Sequence, residues 1–193
     1  MKLKILTGVI GFLLLATTAS ALMLEGGCDI LFSGQSTLHN FDGKVACQPF
    51  SLISEAGKDP QDITQQPVIK VLVSEMNTDS TGRDEKMRAM FEEETYPEIQ
   101  GLFGDVDPES LLQQLQESEE LPETLEFDLQ IRQIKQRVKA TTHDLRVSPE
   151  QISFMMDFPL SLASFQLKPP SVLGFIKVDD RVQVEVKVLL RQQ

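Results

Sequence analysis

The chain has no tryptophan, one tyrosine, two histidines and two cysteines in 193 residues. Each scarcity removes a class of function. Two histidines and two cysteines supply too few ligands for a dedicated transition-metal site, and none is expected. The cysteines lack a CxxC spacing, which argues against a thioredoxin-like redox centre. No GxSxG elbow, GxxxxGK[ST] loop or GxGxxG turn is present. The usual signatures of acyl transfer, nucleotide hydrolysis and dinucleotide binding are therefore missing. Positive charge is also scarce: 18 Lys and Arg face 29 Asp and Glu, a formal charge of −11. Such a chain repels nucleic acid and anionic lipid headgroups, so no nucleic acid partner is expected.

Long apolar runs are confined to the start. Lys2 and Lys4 precede the apolar stretch Ile5 to Ala16, and Ala19-Ser-Ala21 has the A-x-A form. Residues 1–21 read as a signal peptide cut after Ala21, leaving 22–193 as one domain that is periplasmic or secreted. No later segment approaches 18 apolar residues, so stable membrane insertion is not expected after cleavage. In an oxidising compartment Cys28 and Cys47 are expected to form a disulfide. Cys28 shares a face with Ile30 and Phe32, and Cys47 with Val45, on what read as neighbouring antiparallel strands. Closing that loop stabilises the fold by roughly 3 kcal/mol.

What the chain does have is alternation. Val182, Val184, Val186, Val188 and Leu190 face one way, and Arg181, Gln183, Glu185 and Lys187 the other. Period two with β-branched residues marks a strand, here roughly 33 Å long at ~3.3 Å per residue. Similar patterns predict strands at Ile30–Leu38, Lys44–Phe50, Val68–Ser74, Ile99–Phe103, Leu125–Ile131, Arg137–Val147 and Ile152–Phe158. A bulge is expected where Thr141 and Thr142 blur the sixth. A closing hairpin is expected from Ser171–Val178 and Arg181–Leu190 across Asp179-Asp180. About eight such strands argue a sandwich or a barrel.

Two helices interrupt them. One runs from about Arg83 to Glu93, with Met87, Met90 and Phe91 on one face and Asp84, Glu85, Arg88 and Glu92 on the other. The second starts at Asp107-Pro108, with Asp as N-cap and Pro in the first turn, and has Leu111, Leu112 and Leu115 along one side. Between Gly101 and Ile131 there is no Lys or Arg among nine acids. Eleven Phe and seven Met make a soft apolar inventory suited to flexible ligands, and an eight-stranded barrel is just wide enough for one.

Three motifs in order carry a resemblance. Ser36-Thr-Leu-His-Asn-Phe-Asp-Gly43 resembles the S-x-x-H-x-F/W-x-G opening of YceI-like proteins. Asp84 to Ile99 is similar to that family's helix and Y-P-x-I element. Pro169-Pro170 followed by Gly174-Phe-Ile-Lys-Val-Asp-Asp180 resembles its closing hairpin, with its Gly-x-x-Lys-Val-x-Asp. The chain departs from the family by an acidic insertion of about 20 residues after Phe103, and by Gln133-Ile-Lys135 where relatives tend to have Gly-Val-Thr. The resemblance implies an all-β, lipocalin-like antiparallel barrel with inserted helices, exported in bacteria, with no catalytic residues. It implies an elongated pocket for a polyisoprenoid or an isoprenoid quinone, and no other cofactor. Related barrels can pair, so a homodimer is one expected state.

On this reading an isoprenoid lies against Phe32, Leu38, Phe127, Leu129, Phe154, Val184 and Val186. Met87, Met90 and Phe91 cover the mouth, and His39, with Tyr96, stands near the headgroup. Two other readings compete. An envelope interaction module would use the acidic segment 104–124 to dock a basic partner. A hydrolase or isomerase would use His39 with Asp42, without a recognisable nucleophile motif.

Overall fold

The computed structural model describes residues 22–37, 40–54, 65–118, 120–148, 150–169 and 178–193. The strands are β1 (Met23–Ser36), β2 (Phe41–Ala46), β3 (Phe50–Ile53), β4 (Val68–Leu72), β5 (Glu98–Leu102), β6 (Thr124–Ile131), β7 (Ile134–Val147), β8 (Gln151–Ser161) and β9 (Val178–Gln192). Helix α1 (Thr81–Phe91) joins β4 to β5, and α2 (Pro108–Ser118) joins β5 to β6. One antiparallel sheet runs β2-β1-β9-β8-β7-β6-β5-β4, with β3 also on β1.

β2 and β3 occupy successive stretches of one edge of β1, with Gly34↔Phe41 to Asp29↔Ala46 followed by Gly26↔Phe50 to Met23↔Ile53. They fill a single position, so eight positions circle the barrel, as expected. The expected strand Lys44–Phe50 is split because Pro49 has no N–H to give the ladder. The break also brings the sheet nearly to closure. Gln48 N–H turns away from β1 and donates to Lys70 O on β4 at 2.7 Å, and Lys44 and Asn77 exchange backbone bonds of 2.8 and 3.0 Å.

Three expected boundaries move. β1 begins at Met23 rather than Ile30, because Gly26 lies opposite Phe50 and its missing side chain leaves room for that ring. Residues 73–75 form a 3-10 turn instead of continuing β4. The bulge in β7 falls between His143 and Arg146, where Asp144 has φ 54°, rather than at the threonines.

The Asp179-Asp180 turn is absent: β9 runs straight through both residues and pairs with β8 as far as Ser161↔Arg181. Asp180 is drawn into the strand by its partners. Its carboxylate accepts from Ser161 Oγ at 2.6 Å and from Ala163 N–H at 2.7 Å, and its carbonyl accepts from Leu162 N–H at 2.9 Å. The 3-10 turn Ala163–Phe165 is thereby docked on the barrel rim with Phe165 buried. Residues 171–177 of the expected hairpin lie outside the described residues.

Cys28 and Cys47 are joined, with Cα atoms 5.2 Å apart, across neighbouring strands as expected. Because β5 crosses from one rim to the other, its two flanking helices close opposite rims. Asp84 is not on the solvent face of α1. It is buried, and accepts from Thr78 N–H at 2.9 Å and Thr78 Oγ1 at 2.5 Å. This fixes the entry to the helix, which ends where Glu92 turns left-handed at φ 56°. Arg132, at the β6–β7 turn, pairs with Glu92 and donates to Gln166 O at 3.3 Å, clamping that end.

Candidate functional site: the barrel chamber

The inward residues of the strands do not meet across the axis. They enclose a chamber of about 490 Å³ that extends from α1 to α2, within the size range of small-molecule pockets. Val182, Val184, Val186 and Val188 of β9 form one wall, with Phe154, Met156 and Phe158 of β8 beside them. Val188 pairs with Phe154, Val186 with Met156 and Val184 with Phe158, so aliphatic and aromatic groups alternate across the two strands. On the opposite wall Phe103 stacks on Phe127 at 5.0 Å, and Phe127 meets Phe158 edge-on at 5.5 Å.

The first wall carries three glycine–phenylalanine pairs directly across strands: Gly26 with Phe50, Gly34 with Phe41 and Gly43 with Phe32. At each glycine a Cβ atom would fall 2.1 to 2.5 Å from the ring opposite. The rings lie flat on bare backbone instead of projecting to the axis, which keeps this side of the chamber open while lining it with aromatic carbon.

All the expected wall and lid residues that are described line this chamber: Phe32, Phe127, Leu129, Phe154, Val184 and Val186 on strands, and Met87, Met90 and Phe91 on α1. Leu38 and His39 lie outside the described residues. Tyr96, beyond the end of α1, is not among the lining residues. Asp42 is exposed and alternates with the inward Phe41 and Gly43, so it points away from the interior.

Sequence reasoning missed Phe41 and Phe50, and the signal was a glycine at the paired position of the next strand. It also missed the polar end. Thr78 and Arg83 line the chamber at the α1 rim. Arg83 donates from Nε to Thr78 Oγ1 at 2.8 Å and from Nη2 to Thr78 O at 2.7 Å, and its guanidinium lies 5.6 Å from the Phe41 ring centroid. Among the described residues no carboxylate pairs with it. Gln114 on α2 is the remaining lining residue with a polar side chain.

The acidic segment behaves differently from a free docking arm. Leu115 is 1% exposed and joins Ile152 and Leu190 in a second core cluster, with Leu111, Leu112 and Leu121 packed on it. Leu111, Leu115 and Leu121 also line the chamber. Glu117, Glu120 and Glu123 stay exposed. The insertion closes a barrel rim with its leucines and presents its acids to water.

Elsewhere, His143 lies on the outside between Asp144 (3.0 Å) and Asp157 (2.8 Å). The Asp157 bond, then the Asp144 bond, raises its pKa above the ordinary imidazole value. Both ring nitrogens face carboxylates, an arrangement that suits imidazolium. The pair belongs to the β7 bulge and not to the chamber.

A nearly closed antiparallel barrel around one apolar chamber, with a helix at each rim, defines a lipocalin-like all-β protein. The YceI-like domain model matches residues 31–190, and the chain belongs to that family. Among solved structures it is similar to Burkholderia cenocepacia BcnA, at 12% identity and TM-score 0.55 over 84% of this chain and 95% of that one. It is also similar to a polyisoprenoid binding domain from Saccharophagus degradans implicated in plant cell wall breakdown, at 11% identity and TM-score 0.51 over 87% and 94%. At these identities the likeness concerns the fold. Among curated proteins nothing matches the chain.

Proposed function

We propose that this protein is a binding protein that holds one extended isoprenoid, a polyisoprenoid or an isoprenoid quinone, inside the barrel. The observation that carries the reading is the chamber: apolar side chains from β-strands and both helices surround it, and among the described residues Thr78, Arg83 and Gln114 supply its only lining groups that are charged or carry a side-chain hydrogen-bonding atom of oxygen or nitrogen. A branched hydrocarbon fits such walls. Each buried methylene contributes about 0.8 kcal/mol, so affinity accumulates along the chain without charged anchors. The polyisoprenoid binding described for the Saccharophagus degradans domain supports the same ligand class.

The polar end gives the ligand a direction. A headgroup with an acceptor oxygen, a quinone carbonyl or a phosphate, lies at the Arg83 guanidinium, and the tail runs toward α2. Mass spectrometry of an organic extract of the purified protein checks the reading and should recover an isoprenoid. A folded protein that releases none, and that takes up no added isoprenoid alcohol, would overturn it. The disulfide supports export through a cleaved signal. Intact mass of the purified chain should then correspond to a start at Leu22.

A further inference from the structure

The acidic insertion does more than close a rim. We infer that α2 is a fixed floor that sets the length of isoprenoid the chamber accepts, with Leu115 and Leu111 as the residues that stop the tail. This rests on the isoprenoid reading above and adds a chain-length rule to it.

The first observation is placement. Leu111, Leu115 and Leu121 line the same continuous chamber as Met87 and Phe91 on the opposite helix. A tail that enters from the α1 end meets these leucine side chains at the other rim. Leu115 lines the chamber and is held at 1% exposure by Ile152 and Leu190.

The second observation is attachment at both ends. At the start, Asp107 caps the helix: its carboxylate accepts from Glu109 N–H at 3.1 Å and Ser110 Oγ at 2.5 Å. Pro108 is buried, and the fully buried Ser54 at the end of β3 donates to Glu109 Oε1 at 2.6 Å. Just before the helix, Gln65 and Val106 exchange backbone bonds of 2.8 and 2.7 Å. After the helix, Thr142 Oγ1 donates to Pro122 O and Thr142 N–H to Glu123 O at 3.1 Å. A hinged lid would be tied on one side; this element is tied to β3 and to β7. A tail cannot push it aside without breaking the part-buried Ser54–Glu109 bond and exposing the leucine cluster.

The third observation is volume. At protein-like packing a five-carbon unit takes on the order of 120 Å³. A chamber of about 490 Å³ therefore holds at least about four units, and isoprenoids longer than its span leave their excess outside.

The test uses the full chain, stripped of lipid and exposed to a graded mixture of isoprenoid alcohols, from shorter to much longer than the chamber. Bound alcohols are extracted and quantified by mass spectrometry. The unaltered protein should retain a distribution centred on one length, of about four units or more. Leu115→Ala removes three side-chain carbons, against five in an isoprene unit, so it should move the centre up by at most about one unit. Leu111→Phe fills the same space and should move it down. Leu115→Val, a milder cut, replaces Leu115→Ala if that variant fails to fold. Distributions that match the unaltered protein in every folded variant, at unchanged total lipid, would overturn the floor and leave the isoprenoid reading standing. Absence of any bound alcohol in the folded, unaltered chain would overturn the reading beneath it.

Discussion

The two helices are each eleven residues long and close opposite rims of one barrel, yet they meet its interior with different chemistry. α1 brings Met87, Met90 and Phe91 together with Arg83, and Thr78 lies just ahead of it. α2 brings leucines and the rim residue Gln114. α1 is held by a buried carboxylate, Asp84, and by the Arg132–Glu92 pair at its far end. α2 is held by Ser54–Glu109 and by Thr142–Pro122. A chamber with chemically equal ends would accept an amphiphile either way round. One with a cation at a single end favours one orientation.

The largest expected effect tests the α2 end. Leu115→Asp places a charge in a site that is 1% exposed and should cost about 4 kcal/mol or more, read as a lower urea midpoint. Arg83→Leu at the α1 end should cost less, about 1–2 kcal/mol, since it leaves the Thr78 carbonyl without the Arg83 donor but buries no charge. Equal losses would mean that the two rims are not distinct.

The anchors come next. Asp84→Ala strands the amide and hydroxyl of the buried Thr78 and should cost about 2–3 kcal/mol. Glu109→Ala strands one hydroxyl, that of Ser54, and should cost about 1–2 kcal/mol. Denaturant titration gives both, and hydrogen exchange tells which helix is released. Loosening of α1 by the Glu109 change, or of α2 by the Asp84 change, would show the rims to be coupled.

Much of this comparison was legible in the sequence, though unevenly. Strict alternation in β9 and β6 gave the inner faces because a period of two admits one inward set. Met87, Met90 and Phe91 gave the inward side of α1 by their helical spacing. The N-cap Asp107 and the leucine side of α2 were also plain, but nothing local says that those leucines meet the interior of the same barrel. That follows from β5 crossing between rims. Asp84 was misread because the helix wheel places it with other acids, whereas its bonds to Thr78 come from the preceding turn. Asp179-Asp180 was misread because two aspartates look like turn residues, while the bonding partners of Asp180, Ser161 and Ala163, lie nearly twenty residues earlier.

A smaller effect concerns the headgroup. Arg83→Leu should weaken binding of an isoprenoid with an acceptor-bearing headgroup by about tenfold, the worth of one charge-assisted hydrogen bond. Binding of the hydrocarbon of equal length should change by less than about twofold. Calorimetric titration of both ligands separates the outcomes. An equal loss for the two would assign Arg83 to packing of the rim rather than to a headgroup.

The smallest effect should have opposite signs at the two ends. At the α1 rim, the Ser161 hydroxyl and then the Ala163 N–H hold the Asp180 carboxyl below its ordinary value. Lys70 and then Gln100 do the same for Glu98, at the start of β5. A lowered carboxyl contributes stability above its unfolded pKa and loses it as pH falls through the folded one. Near the α2 rim, His143 follows Thr142, which holds the end of the insertion, and its pKa is raised by Asp157 and Asp144. A raised imidazole contributes below its unfolded pKa and loses that contribution as pH rises through the folded one. These groups are open to solvent, so screening keeps each effect small. Amide exchange, corrected for its intrinsic pH dependence, should therefore show the Ala163 region loosening first as pH falls and the 142–147 stretch loosening first as pH rises. Asp180→Asn should abolish the first response alone, and His143→Gln the second alone. A common response of both rims to either change would mean that the barrel opens as one unit, and the difference between its ends would then lie in the chamber lining and not in how the rims are held.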